Sequence, residues 1–348
     1  MNPSHPASGG LVSRPAHVPD LVVLGNLIVD DLVFADGTTR TGEPGGAVLY
    51  AALGASLWGT RVGVVSPVGD NYPEAVLDTL SAHGVDLGGL RRLGRPGLRA
   101  WLLYEPAGRR IVHHPGSPTH AEATPGPADL PSGWHRCPGF HLTPAPLHAQ
   151  GDLIGALSTS RGSLVSVDPH DPVTAASLEP WRHALAGVDV LFASEAELPM
   201  AGALAGRGLI GVVRSLTSGR LRLVALKRGN SGGIVVDLAS ERFATWPPRA
   251  ARVVDPTGAG DAFAGGALAA LVSGGTLDRA LAQGVVAASF ALEAWGAAGL
   301  LSARPADAAR RLAEWFGAPD AWVDWRGARD PGQGSAARDD GHTGNDPV

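Results

Sequence analysis

The stretch Val253-Val254-Asp255-Pro256-Thr257-Gly258-Ala259-Gly260-Asp261-Ala262-Phe263 decides how this chain is read. Two valines of strand character run into a turn, then Gly-Ala-Gly, then an acid, then a helix of small residues. Glycines in such a turn let backbone N–H groups converge, at a helix start where the dipole is positive. That describes an anion site suited to phosphate oxygens. Asp261 sits at its mouth, where a carboxylate can accept a proton from an attacking hydroxyl. A lone Gly-x-Gly before an acid also describes a tight turn and a helix cap, but the eleven-residue context favours the site. Beyond it, Ala264-Gly265-Gly266-Ala267 gives the helix a smooth face for close packing.

Outward from this segment, strand and helix signals alternate. Asp20 to Asp30 (DLVVLGNLIVD) opens as a continuous apolar run, the pattern of a strand buried on both faces. Gly45 to Trp58 has helical spacing, Arg61 to Ser66 reads as a strand, and Tyr72 to His83 as a helix. Strands at 139–142, 164–168 and 188–193 each precede a helical stretch, near 147–159, near 173–185 and onward to about 218. Leu221 to Leu226 and Gly233 to Val236 follow as strands, and Ala-rich helices over 259–272 and 276–294 close the core. The alternation predicts an α/β fold, a mostly parallel central sheet with helices on both faces. Strand signals near 31–34 and 98–113, with a hairpin at Glu105-Pro106-Ala107-Gly108, break the rhythm and point to a small separate sheet.

With 348 residues and 44% hydrophobic content, the chain can fill a sizeable core. Its 28 basic and 33 acidic residues leave a formal charge of -5, which argues against nucleic acid or an anionic membrane as partner. Cys137 is the single cysteine, so there is no internal disulfide and no thiolate metal cluster. The opening residues Met1 to Pro6 lack the layout of a signal peptide, and the longest apolar run, Ala262 to Val272, is too short to span a bilayer. A cytoplasmic location is the expectation. Residues 1–18 and 326–348, without periodicity, read as disordered tails around one folded unit at 19–325.

The segment at 255–261 resembles the C-terminal signature of the ribokinase-like (PfkB-type) carbohydrate kinases, and further motifs follow in that family's order over most of residues 20–305. Gly25-Asn26-Leu27-Ile28-Val29-Asp30 is similar to the first-strand Gly-x-x-x-x-Asp, Gly45-Gly46 to the diglycine signature, and Val68-Gly69-Asp70 to the Val-Gly-x-Asp segment. Ser194-Glu195-Ala196-Glu197 resembles the Asn-x-x-Glu motif, and Lys227-Arg228-Gly229-Asn230-Ser231-Gly232 the strand-end loop lining the nucleotide. The resemblance implies a ribokinase-like fold, with residues 31–43 and 95–114 forming a β lid over the substrate. It implies ATP-dependent phosphorylation of a hydroxyl on a sugar or cyclitol, chemistry that rests on positioning and electrostatic stabilisation.

Carried over by position, the resemblance makes Asp261 the general base and the amides of Gly258, Ala259 and Gly260 the anion hole. Asp30, Gly45, Gly46 and Tyr50 fall at the acceptor. Glu197, Lys227, Gly229, Gly232, Thr257, Gly258 and Gly260 fall around ATP. Glu197 would hold Mg²⁺ through water, and Asp255 with Thr257 match contributors to a monovalent cation site, such as one for K⁺. The helix around Gly284 to Ala288 would flank the adenine. The implied partner is a small molecule, a sugar, cyclitol or nucleoside, and monomer and homodimer both stay open.

Three positions depart from the pattern. Tyr50 stands where sugar-specific members often carry Asn; its ring face favours a bulkier acceptor, and packing under the lid is the alternative. A nucleoside kinase of the same fold is therefore the nearest rival, and a non-catalytic nucleotide or sugar sensor is the rival from another class. Ser194 replaces Asn but can still hydrogen-bond a phosphate or a metal-bound water. Asn71 follows Asp70 where glycine is common, a local matter.

Other candidates carry less. His113-His114 with His120 read as a solvated or substrate-facing lid loop rather than a metal site, with His114 the one placed to touch substrate. Asp168 follows a strand and either approaches phosphate or caps the next helix. Arg109-Arg110 reads as an exposed turn, and Trp181, Trp295 and Trp315 as core. A P-loop is excluded because the single lysine, Lys227, is followed by Arg228. The protein-kinase motifs and the Gly-x-Ser-x-Gly elbow are missing as well.

Overall fold

The computed structural model describes residues 18–105, 108–158, 162–199, 206–217, 219–249, 252–317 and 326–327. The two expected tails therefore lie almost wholly outside the described residues, as do the hairpin positions 106–107.

Seven strands form the parallel heart of the larger sheet: β1 (Leu21–Leu24), β4 (Val62–Val68), β5 (Asp86–Arg92), β8 (Gly139–Leu142), β9 (Leu164–Val167), β10 (Val190–Ser194) and β11 (Leu223–Lys227). Three antiparallel strands extend it: β12 (Gly233–Asp237), β13 (Arg242–Trp246) and the two-residue β14 (Arg326–Gly327). The order is β14-β13-β12-β11-β10-β9-β8-β1-β4-β5. Alternation along β1 shows why its sequence is apolar throughout. Leu21 and Val23 join one core cluster and Val22 and Leu24 the other, and all four are buried.

The first cluster holds α1 (Ala47–Ser56), α6 (Ala259–Val272) and α7 (Leu277–Leu292) against the sheet; α2 (Glu74–Ala82), α8 (Ala298–Ser302) and α9 (Pro305–Phe316) also contribute to it. The second holds α3 (Leu147–Leu157), α4 (Leu178–Leu185) and α5 (Gly206–Ser215). The smooth face read at 264–267 is used in full. A Cβ on Gly265 would fall 2.0 Å from the Ala51 carbonyl of α1, and one on Gly266 would fall 2.7 Å from the Gln283 carbonyl of α7. Close helix contact on both sides fixes α6, and with it the turn at its N-terminus.

The second sheet is separate, with strands β2 (Ile28–Val33), β3 (Thr39–Gly45), β6 (Arg99–Glu105) and β7 (Gly108–His113) in the order β3-β2-β6-β7. Three strands escape the sequence pattern: β5, charged and glycine-containing as sheet edges tend to be; β13, which carries polar residues; and β14, which pairs with β13 from residues 326–327, read from the sequence as part of the tail. The helix expected over 173–185 begins only at Leu178. Thr174 N–H donates to Ser177 Oγ at 2.9 Å, a local side-chain bond that competes with the helix. The helical stretch expected up to about 218 is described only from Gly206 to Ser215.

Candidate active site

Five parallel strands end on one edge, and the segments after them supply the site. Asn26 follows β1, Thr143 follows β8, Asp168 with His170 follows β9, Glu197 follows β10, and Lys227 ends β11. The small sheet covers this edge. Between them is a cavity of about 220 Å³. Its floor includes Gly46, Tyr50, Thr257, Gly258 and Asp261, and Leu98, Ala100, Leu102 and Ile111 come from the lid side.

Gly258 is the N-cap of α6, with φ 72°, a left-handed conformation that glycine adopts without penalty. Its missing side chain matters equally, because a Cβ there would meet the Tyr50 ring at 2.2 Å. Tyr50 is 2% exposed and packs under the turn while still bordering the cavity. No side chain caps α6; of its first amides, Ala259 N–H donates to the Pro256 carbonyl at 3.4 Å, a long bond that an anion at the helix start could displace. Asp255 shapes the same turn. It is fully buried; its Oδ1 accepts from Thr257 N–H at 2.9 Å and Thr257 Oγ1 at 2.6 Å, and its Oδ2 accepts from Gly296 N–H at 2.8 Å. Tyr104 of β6 ties the lid to this turn through a 2.5 Å bond to Thr257 Oγ1.

The two glycines before α1 do different work. A Cβ on Gly45 would fall 1.8 Å from Asp30 Oδ2, so Gly45 makes room for that carboxylate from behind and does not line the cavity. Gly46 has φ 96° and does line it. Asp30 is 6% exposed, and burial pushes its carboxyl up to about 8, with Arg109 pulling down and Asp255 adding to the rise. Burial also raises Asp261, against the pull of Lys227 and Arg109.

Beneath the floor, the Lys227 ammonium pairs with Asp168, which is 1% exposed and keeps its Oδ1 without a partner. Burial works against the charge on Lys227, but Asp168, Glu197 and Asp261 outweigh it and hold its pKa above the usual value. Burial works to raise the Asp168 carboxyl, and the charge of Lys227 opposes it. Ser194 and Glu197 cap each other: Ser194 N–H donates to Glu197 Oε2 at 2.6 Å, and Glu197 N–H to Ser194 Oγ at 3.3 Å. The serine that departs from Asn-x-x-Glu thus fixes the backbone that aims Glu197.

Not every sequence candidate meets at the cavity. Lys227, Gly229 and Gly232 do not line it; the two glycines turn the chain from β11 into β12, where a Cβ on Gly232 would strike the Trp246 carbonyl at 2.0 Å. Gly284 packs against Phe263 of α6, and residues 284–287 are buried in the helix contact. His114 turns away, with Nε2 2.7 Å from Asp31 Oδ2 and its ring stacked on Trp101. Trp295 is not core but borders the lid, edge-on to Phe34 with Arg40 above it.

The pfkB family carbohydrate kinase profile matches residues 151–304. A cytidine kinase from Thermococcus kodakarensis is 31% identical over 281 residues, covering 80% of this chain and 97% of that protein. The chain belongs to the pfkB carbohydrate kinase family. It is an ATP-dependent kinase. The kinase is also similar to an acarbose 7(IV)-phosphotransferase from Actinoplanes sp., 32% identical over 293 residues, with 81% and 89% of the two chains covered. Among solved structures, a putative ribokinase II from E. coli in complex with ATP and Mg²⁺ superposes with a TM-score of 0.66 at 19% identity, over 85% of the kinase and all of that chain, and so speaks for the fold.

The kinase also carries site residues that sequence reading passed over. Arg109 is exposed, as the turn reading had it, but it borders the cavity and acts on both Asp30 and Asp261. The period-2 alternation of a strand would have placed Arg109, Ile111 and His113 on one face, had the start of β7 been known. His170 carried no signal beyond its place after a strand. Among the described residues no helix is long and apolar enough to cross a membrane.

Proposed function

We propose that the kinase transfers the γ-phosphoryl group of ATP to a hydroxyl of a small polyol held in the cavity, with Asp261 as the general base. The observation that carries this is the meeting of two features at one point: the N-terminus of α6, with no side-chain cap, and the Asp261 carboxylate within its first turn, with Gly258 and Asp261 both bordering the cavity beneath the lid. The acceptor's hydroxyls lie against Asp30 and Gly46. Its reacting hydroxyl passes its proton to Asp261 while the amides of Gly258, Ala259 and Gly260 hold the charge of the moving phosphoryl group. Lys227 and Arg109 favour the ionised form of Asp261, which a base requires. The lid keeps water from competing as acceptor.

Mg²⁺ suits the residues present. Among the described residues no three metal-ligating side chains converge, and Mg²⁺ commonly takes one or two carboxylates with substrate phosphates supplying the rest. Glu197, its backbone fixed by Ser194, is the carboxylate that would hold it through water, and the ion would supply charge neutralisation between phosphates. For a monovalent cation the fit is poorer. Asp255 already accepts three hydrogen bonds, so we assign it to the turn and derive no step through such an ion.

A nucleoside acceptor is the second reading, favoured by similarity to the cytidine kinase and by the buried Tyr50 ring at the floor. The test is ATP consumption with Mg²⁺ over sugars, cyclitols and nucleosides. Asp261→Asn should lower kcat by about 10²–10⁴-fold with nucleotide binding kept. Turnover surviving in that variant would remove Asp261 as base, and an unaltered ligand-dependent output without turnover would favour a sensor.

A further inference from the structure

The roof of the cavity is ordered by strand register. Residues 109, 111 and 113 of β7 share its inner face and all border the cavity. Arg109 belongs to the end where Asp261 and Tyr104 lie. His113 belongs to the other end, paired with Ala100 of β6, which is itself paired with Asp30 of β2. Asp30, Ala100 and His113 therefore form one row across three strands. Two strand spacings put the imidazole strand roughly 10 Å from the strand that carries Asp30.

Two more imidazoles close this end. His120 lies edge-to-face with His113 at 6.1 Å and with His170 at 4.6 Å, and all three border the cavity. Burial pushes His120 down to about 4, helped by His170 and His113, and burial also lowers His113. His120 hydrogen-bonds the Pro144 backbone, and its Nδ1 is buried without a partner. Among the described residues the cluster is not a metal site. Asn26, the nearest amide, is already engaged through the His120 carbonyl and the Thr124 hydroxyl. Leu98, Ala100 and Ile111 make the cover apolar.

Such a surface suits one kind of ligand. Burial disfavours the charged form of His113 and His120, so these rings do not attract phosphate or carboxylate. The His113 and His170 rings each offer a donor and an acceptor, while His120, held by the Pro144 backbone, keeps only Nδ1; together they match the mixed edge of a heterocyclic base, and edge-to-face rings favour a planar π system. A hydroxyl-rich sugar would find here apolar cover and an amide already in use.

We propose that His113, His120 and His170 form the subsite that reads the planar, uncharged heterocycle of a nucleoside acceptor whose sugar hydroxyls lie at Asp30. This rests on the cavity being the acceptor site of the kinase, as argued above.

The full-length kinase tests it with cytidine, uridine, adenosine and guanosine against free D-ribose. At least one nucleoside should bind in the presence of ADP and Mg²⁺, read as a thermal shift, and be phosphorylated with a kcat/KM at least about tenfold above that of D-ribose. His113→Ala and His170→Ala change exposed side chains and should fold. Each should lower the nucleoside's kcat/KM through KM, about tenfold more than that of D-ribose. His113→Phe, which keeps the ring face, should recover part of the loss. No binding of any nucleoside would overturn the subsite, as would equal losses for nucleoside and D-ribose. Turnover of a sugar that still depends on Asp261, with nucleosides inert, would overturn the subsite and leave the kinase reading standing. Turnover independent of Asp261 would instead strike the kinase site itself.

Discussion

The floor and the roof of the cavity are built on different principles. The floor is backbone and packing: a left-handed Gly258 over the Tyr50 ring, Gly45 giving space to Asp30, and an α6 wedged between α1 and α7. Its geometry follows from steric necessity, since a methyl group at any of these glycines would collide with atoms that have no room to move. The roof is side chains on an alternating strand, where Arg109, Ile111 and His113 point in only because β7 pairs with β6 in one register. The floor places Asp261 and the start of α6; the roof brings the Arg109 charge and the His113 imidazole to them. Substitutions at the floor's glycines should therefore act through folding, and those on the roof through catalysis and binding.

The largest effect that separates the two belongs to Arg109. Its side chain is exposed, so Arg109→Ala should leave the melting temperature nearly unchanged. Loss of one cationic donor beside developing phosphoryl charge should lower kcat by about 10²-fold. Arg109→Lys should restore part of it, less than fully because the ammonium lacks the planar fork. Steady-state kinetics beside thermal unfolding give both readouts, and a large stability loss with normal kcat would reverse the roles assigned to roof and floor.

Gly258→Ala should do the opposite. A side chain at φ 72° costs about 1–2 kcal/mol for the backbone alone, and displacing the Tyr50 ring adds to it. Denaturant unfolding should show a clear drop in midpoint with an unchanged slope. A variant of full stability would mean that the turn adapts and that the floor is not sterically fixed.

The same contrast explains what was legible in the sequence. Asp261, Gly258 and the diglycine before α1 could be read because their roles are local: a turn, a cap, a close approach. The central sheet could be read because β1 is apolar on both faces and β8 and β9 are apolar on one, with His141 and Ser166 bonded to each other on the other. Arg109 could not be placed, because whether a strand residue faces a cavity depends on where the strand begins, and one residue of shift reverses it. The histidines met the same limit. His114 was the expected contact, yet it sits on the opposite face from His113 and is spent on Asp31. Trp295 reads as core but borders the lid, because composition does not say which neighbour the end of a helix will meet.

Asp30 links the two regions through pH. Burial pushes its carboxyl from the ordinary 3.8 up to about 8, so the folded protein prefers it protonated. The stability this gives is fully present below the unfolded value and is lost as pH rises through about 8. Melting temperature should therefore fall between pH 5 and pH 8.5 by more in the native sequence than in Asp30→Asn, which cannot ionise (pH values set roughly around the two pKa values). Parallel curves for the two proteins would show that Asp30 is better solvated than its burial implies.

The smallest effect is also the sharpest test of register. Arg110 is next to Arg109 but, by alternation, points away from the cavity and bridges Glu105 at 2.8 Å in solvent. Exposed pairs of this kind contribute about 0–1 kcal/mol, so Arg110→Ala should alter neither stability nor kcat/KM measurably. If instead it matched Arg109→Ala in kcat, the inner face of β7 would carry the even-numbered residues. His113 would then point to solvent, and the histidine subsite and the assignment of Arg109 would fail together.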